Sequence, residues 1–245
     1  MNVLLLHAGI ADHRMWRPQL DPLSAAGFRT VAPDLRGFGE TRLDPEPFSY
    51  ARDVLPLLDG PTAVVGASQG GRVALEVALL APEQVERLVL LAPGLPGWSW
   101  SDETRAGWAE EETAYEQGDL QAAAEASTRL WLDRPGERES APDRAVRSLV
   151  LEMILRSYEQ QSTAWDEGAE EEAVLDPPVQ ERLGEIECPT LVLVGELDVP
   201  DMRAVAGHVA ESIPGGELVT VPGAAHLPSL EQPELVNARL LEFLG

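Results

Sequence analysis

The sequence predicts an α/β protein built on a mainly parallel sheet, and three observations predict it. Short apolar runs recur along the chain without the polar alternation of half-exposed strands, as expected where both faces of a sheet are covered. Runs with helical spacing lie between them, joined by short loops, and this alternation folds into parallel crossovers. The third observation is Gly66-Ala67-Ser68-Gln69-Gly70, which places a serine between an apolar run at 62–65 and a helical pattern from about residue 71. A serine in a sharp strand-to-helix turn has a strained backbone, and a glycine two residues to either side relieves the crowding. Such a turn raises the hydroxyl above the sheet edge and aims the backbone NH of Gln69 at any negative charge forming on a substrate.

Taken in order, residues 3–6 form the first buried strand, ended by His7-Ala8-Gly9 and a loop running to Trp16. Trp16, Leu20 and Leu23 have helical spacing, and Gly27 stops that helix. Residues 30–32 make a second short strand that empties into Asp34-Leu35-Arg36-Gly37-Phe38-Gly39. A helix around Asp53 to Leu58 has to accommodate Pro56 in its first turn or bend there. After the serine turn, Val73, Ala74, Val77 and Ala78 share one helix face, and the helix stops before Pro82. Residues 87–92 form another buried strand, closed by Pro93 and Gly94.

From about residue 95 the pattern changes. Residues 102–185 hold 22 acidic side chains and 8 arginines, and no strong strand signal. Val146, Leu149, Val150, Met153, Ile154 and Ser157 follow helical spacing, as do Leu120, Ala123, Ala124, Ser127, Leu130 and Trp131. Gly118-Asp119 reads as a helix stop followed by an N-cap. Trp98, Trp100, Trp108, Trp131 and Trp165 fall at the entrance to this segment or within it, and are expected to anchor a thin helical layer, one or two of them facing a cavity. The sheet pattern returns at 190–194, then Gly195-Glu196-Leu197-Asp198, a helix at 202–213, and a last strand at 218–221 leading to Pro222-Gly223-Ala224-Ala225-His226. The closing helix, 234–244, is expected to turn Leu235, Leu240, Leu241 and Leu244 inward. The expected division is a core at 1–97 and 186–245 with a helical insertion at 98–185.

Composition narrows the function classes. With 42 acidic and 18 basic residues the formal charge is −24, and every basic residue is an arginine, so nucleic acid and anionic membrane surfaces are poor partners. Without lysine there is no Schiff-base anchor. One cysteine, Cys188, forbids an internal disulfide and reads as a small buried filler. No apolar stretch has the length of a membrane span, and the first residues lack the basic region of a signal peptide, so a cytoplasmic protein is expected.

Ser68, Asp198 and His226 each follow a strand, at the carboxyl ends where open parallel sheets place their sites. A serine hydroxyl needs a neighbouring base, and the base needs an acid to fix its tautomer and stabilise its charge. His226 suits the base. Asp198 is preferred as the acid over Glu196, and over Asp201, which reads as an N-cap. His7, His13 and His208 show no spacing for a metal, and His7 is expected to shape its loop while His208 lies on a helix surface.

These pieces resemble the α/β-hydrolase superfamily, in particular its small capped serine hydrolases, which include carboxylesterases, enol-lactone hydrolases and cofactor-free perhydrolases. The likeness rests on His7-Ala8-Gly9 through Trp16, Asp34 through Gly39, Gly66 through Gly71, Pro189-Thr190-Leu191 into Asp198, and Gly223 through His226 with Pro228. It implies Ser68 as nucleophile, Asp198 as acid and His226 as base. It implies an oxyanion hole from the backbone NH groups of Gln69 and Gly9, with Ile10 as the alternative second donor. It also implies a helical cap over the pocket, a substrate wall that includes Ile10, Trp131 and Leu227, and no metal or organic cofactor. The implied activity is hydrolysis of small to medium esters or lactones. The alternatives are carbon–carbon bond hydrolysis of a β-diketone-like substrate and a low-turnover binding or signalling role. Members usually carry His-Gly where this chain has His7-Ala8. The chain also opens at what resembles the family's third strand, so about six strands are expected, with 30–32 at an exposed edge open to dimer formation.

Overall fold

In the computed structural model, which describes residues 1–134 and 142–245, the described residues form one six-stranded sheet in the order β2-β1-β3-β4-β5-β6. The strands are β1 (Asn2–Leu6), β2 (Arg29–Val31), β3 (Thr62–Ala67), β4 (Val85–Leu91), β5 (Thr190–Gly195) and β6 (Glu217–Val221), and every pairing is parallel. β3 and β5 are buried along their whole length, whereas β2 and β6, at the two edges, are largely exposed. The continuous apolar runs thus mark the strands with covered faces, as their composition predicts.

The period-two geometry of a strand splits the core in two. Leu4, Leu6, Val64, Leu88, Leu90, Val192 and Val194 face one apolar cluster; Val3, Leu5, Ala63, Val65, Val89, Leu91, Leu191 and Leu193 face the other. The first is covered by α2 (Tyr50–Val54), α3 (Gln69–Leu80) and α7 (Pro200–Ser212). The second is covered by α1 (Arg17–Ala25) and by α9 (Pro233–Leu244), which follows the short α8 (Pro228–Glu231). Pro56 does not kink α2; it opens a separate 3-10 turn, Leu55–Leu57, where its missing NH is harmless.

Between β4 and β5 the described residues hold helices and turns and no strand. They comprise α4 (Asp102–Glu116), α5 (Leu120–Thr128), a π-helical turn at Arg129–Asp133, and α6 (Arg144–Asp166). Gly118 has a positive φ of 74°, and Asp119 caps α5 by accepting from the Ala122 NH at 3.0 Å. α6 is tied to the loop after β1: Arg14 bridges Asp12 and Glu152, and the Asp12 NH points at Met153 Sδ at 3.4 Å.

Two expectations about packing need correcting. In α9 the buried row is Val236, Leu240 and Leu244, four residues apart, and Leu235 sits one step off that row, 45% exposed. Cys188 is half-buried rather than enclosed, and burial still pushes its thiol pKa upward. Among the described residues no helix is long and apolar enough to cross a membrane.

His7 shows how the strand ends are organised. Its ring is completely buried, with Nδ1 2.8 Å from the Ala8 carbonyl and Nε2 accepting from the Leu35 NH at 2.9 Å. It therefore locks the loop after β1 to the loop after β2, and burial holds its pKa below the usual histidine value. A folded-state pKa below the unfolded one means that the unfolded chain binds more protons. The stability His7 contributes is full above about pH 6.5 and is lost as the pH falls through the lowered folded value. The expected outcome is that urea unfolding free energy falls between pH 7 and pH 5 with a shallower slope in His7→Gln than in the natural chain.

Candidate active site

The site begins with the backbone of Ser68. Its φ of 50° and ψ of −113° lie in the left-handed half of conformational space, at the junction of β3 and α3. Four hydrogen bonds hold the turn there. The Ser68 NH donates to the Leu91 carbonyl at 2.8 Å, the Ser68 carbonyl accepts from Gly94 at 2.8 Å and Arg72 at 3.0 Å, and the Gly70 NH donates to the His7 carbonyl at 3.0 Å. A Cβ at Gly70 would run into the backbone carbonyls of Leu6 and His7, so the glycine is required by close approach of main chain.

The histidine and the acid come from neighbouring strand ends. The loop after β5 is stitched to the loop after β6 by Glu196 NH to Val221 O at 3.0 Å and Leu197 NH to Ala224 O at 2.8 Å. Asp198, 1% exposed, accepts from the Val199 NH at 2.8 Å with one oxygen and lies 2.9 Å from His226 Nδ1 with the other. His226 Nε2 lies 2.9 Å from Ser68 Oγ. A carboxylate can only accept, so Nδ1 carries the ring hydrogen and Nε2 is left to accept from the serine hydroxyl. The other two acids are engaged elsewhere. Glu196 is exposed and accepts from the Gly223 NH, and Asp201 binds the Ser101 NH and the hydroxyls of Ser101 and Thr104. Asp201 is therefore not the N-cap its position suggests; Val199 holds that place, and Asp201 fastens the start of α4 to the start of α7. Those hydrogen bonds outweigh its desolvation and hold its pKa below the usual aspartate value.

The remaining expected residues are distributed as follows. Among the described residues, the backbone NH groups of Gln69 and Gly9 donate to no protein acceptor, and a Cβ on Gly9 would lie 2.6 Å from Gln69 Oε1, so the two loops adjoin. Trp131 lies on the wall of a cleft of about 470 Å³ that opens over Ser68 and Gln69, together with Arg72, Trp100, Trp108, Glu172 and Met202. Ile10 and Leu227 are not on that wall. Leu227 is completely buried in the apolar cluster under the second sheet face, and Ile10 is half-buried against both clusters.

Several contacts at the site had no signal strong enough in the sequence. The π-helical turn brings the Trp131 indole to 4.4 Å from the His226 ring, centre to centre, and its carbonyl accepts from the His226 NH at 3.2 Å. Glu231 accepts from the NH groups of Ala225 and Leu227, at 3.0 Å each, so the histidine loop is held from both sides. Arg134, 6% exposed, donates to the Leu197 carbonyl at 3.3 Å, one residue before Asp198. A glutamate five residues after the histidine, at the end of a proline-initiated turn, is the one signal that was available for Glu231. His13 pairs with Asp34 at 2.8 Å, and with Asp12 this forms a small cluster of possible metal ligands, already satisfied by hydrogen bonds and by Arg14.

A family model described as the alpha/beta hydrolase family matches residues 3–239. The chain is 28% identical to a pimeloyl-[acyl-carrier protein] methyl ester esterase of Pectobacterium atrosepticum, over 99% of this chain and 93% of that protein. It is 29% identical to the carboxylesterase YbfK of Bacillus subtilis, over 99% of this chain and 80% of the relative. Among solved structures, a thermophilic esterase from Thermogutta terrifontis superposes with a TM-score of 0.79 at 29% identity, covering 100% of this chain and 89% of the other.

The tight backbone approach makes a stability prediction. Gly70→Ala should cost about 1–3 kcal/mol, which scanning calorimetry would register as a fall in Tm of roughly 2–10 °C; an unchanged Tm would contradict the packing described.

Proposed function

The chain belongs to the α/β-hydrolase family and is a hydrolase, and on that premise we propose that it cleaves carboxylic esters or lactones of small to medium size through an acyl-enzyme on Ser68. One observation carries the reading: the unbroken chain Asp198–His226–Ser68 with both links at 2.9 Å, beside two backbone NH groups without a protein acceptor among the described residues. The names of the similar esterases support the ester as the substrate class.

In this mechanism Ser68 Oγ attacks the acyl carbon while His226 Nε2 takes its proton. Asp198 stabilises the imidazolium and keeps Nδ1 protonated throughout. The oxygen that becomes negative is received by the NH groups of Gly9 and Gln69, each donor in such a site contributing about 3 kcal/mol to the barrier. The Nε2 proton then passes to the leaving oxygen. A water deprotonated by the same nitrogen attacks the acyl-enzyme, and His226 returns that proton to Ser68 Oγ as the acyl–oxygen bond breaks and the acid leaves. The helices between β4 and β5 act as a cap in this scheme: Trp131 shields one face of the imidazole from water and lines the pocket, which Ile10 and Leu227 do not.

The experiment is intact mass after incubation with an uncharged fluorophosphonate, alongside turnover of p-nitrophenyl esters. A single adduct on the natural chain, absent in Ser68→Ala and His226→Ala, is expected. Asp198→Asn should lower kcat by about 10⁴-fold through the wrong histidine tautomer, and Asp201→Asn should lower it far less. No adduct on folded protein, or equal losses at Asp198 and Asp201, would contradict the proposal.

A further inference from the structure

The cleft over Ser68 has two walls of different chemistry, and together they select for charge. One wall is aromatic. Trp100 and Trp108 meet edge to face with ring centres 4.8 Å apart, and Trp108 and Trp131 lie 6.2 Å apart, so three of the six tryptophans line one small cavity. An indole face carries negative charge and attracts a cation that has shed its water.

Another part of the lining is charged. Arg72, one turn into α3 from Ser68, is 8% exposed and holds two carboxylates at once: Glu76 Oε1 at 2.8 Å and Glu172 Oε2 at 2.5 Å. Of the two acids, Glu172 lines the cleft. The second oxygen of Glu76 is buried and has no hydrogen-bond partner among the described residues. Burial, reinforced by the charge of Glu172, pushes the Glu76 carboxyl pKa upward and so favours its neutral form, which leaves Glu172 as the carboxylate that can face a cation. Both terminal nitrogens of Arg72 already donate to carboxylates, so its positive charge is offset within the protein itself. The long-range field has the same sign, since residues 102–185 carry 22 acidic side chains against 8 arginines.

From these walls we infer that the cleft takes ester substrates bearing a cationic group, an ammonium or quaternary ammonium, placed against Trp100, Trp108 and Trp131 with the Glu172 carboxylate supplying the balancing negative charge. The inference deepens the hydrolase reading and rests on it for the reacting bond; the binding of the cation stands on the cleft alone. A cavity of about 470 Å³ has room for such a group together with a short acyl chain.

The test uses two esters of nearly the same shape, acetylcholine and 3,3-dimethylbutyl acetate, in which a quaternary nitrogen is replaced by carbon. Choline binding, read by indole fluorescence, is measured in parallel. The expected result is a kcat/KM roughly tenfold higher for the cationic ester, the size a desolvated cation–aromatic contact gives, falling toward parity in Trp108→Leu, with saturable choline binding to the natural chain. Glu172→Gln, which leaves every indole in place, should also lower the ratio, so the test survives if Trp108→Leu fails to fold. Equal or faster hydrolysis of the neutral ester with no choline binding overturns the inference and leaves the hydrolase reading intact. Choline binding with neither ester hydrolysed, in acetyl or butyryl form, upholds the cation site and counts against ester hydrolysis. A preference for a hemisuccinate ester over its neutral counterpart, unaffected by salt, overturns the inference as well.

Discussion

The arrangement depends on the left-handed backbone of Ser68. A non-glycine residue at a φ of 50° and ψ of −113° costs on the order of 1–3 kcal/mol, and it persists only where its surroundings leave no alternative. Here the surroundings are the ends of the two neighbouring strands, β4 and β1. β4 supplies the acceptor for the Ser68 NH, the loop after β4 the donor for its carbonyl, and the loop after β1 the acceptor for the Gly70 NH. The strain thereby fixes more than the hydroxyl. It brings the loop of Gly9 against Gln69, and it sets the first turn of α3, from which Arg72 reaches the cleft. Parallel pairing makes this possible, because every strand in the sheet delivers its carboxyl end to the same edge.

The helical segment between β4 and β5 is fastened to the same machinery by directional contacts. Trp131 holds the His226 loop through its carbonyl and covers the imidazole with its ring, Arg134 binds the carbonyl before Asp198, and Asp201 receives three donors from the start of α4. A π-helical turn inserts one extra residue per turn relative to an α-helix, and such turns re-aim side chains where a straight helix would carry them past. At Arg129–Asp133 it lets one tryptophan present both carbonyl and indole to the same histidine. The segment therefore bears on the orientation of the His226 ring as well as on the shape of the cleft.

How much of this was legible in the sequence follows from the range of each signal. Strand and helix order could be read because burial of both sheet faces writes an unmistakable local pattern, and Ser68, Asp198 and His226 could be read because each follows such a pattern directly. The side of a helix that faces inward was less legible: leucines at 235 and 241 look equivalent to those at 240 and 244, and only the actual row through Val236 separates them. Asp201 shows a second limit. A carboxylate in a first helical turn has a sound local use as a cap, yet its partners here lie 97 and 100 residues away, and no spacing rule reaches that far. Leu227 shows a third: it is next to His226 in the sequence, yet its side chain packs into the core cluster and not against the cleft.

Charge is where the chain's composition and its cleft meet. With 42 acids and 18 arginines, a guanidinium placed in the interior finds more than one carboxylate within reach. Arg14 bridges Asp12 and Glu152, Arg147 bridges Asp133 and Glu125, and Arg72 bridges Glu76 and Glu172. Where such triads are exposed they join elements at modest energetic cost, because water screens the surplus charge. Arg72 differs in its location. Arg72 and Glu172 lie against a cavity walled by tryptophans, where the field of the pair is screened less than on the surface. A feature that elsewhere only staples helices together thus becomes, at this one place, a property of the site, and the same excess of acid that keeps the surface solvated sets the electrostatic sign of the pocket.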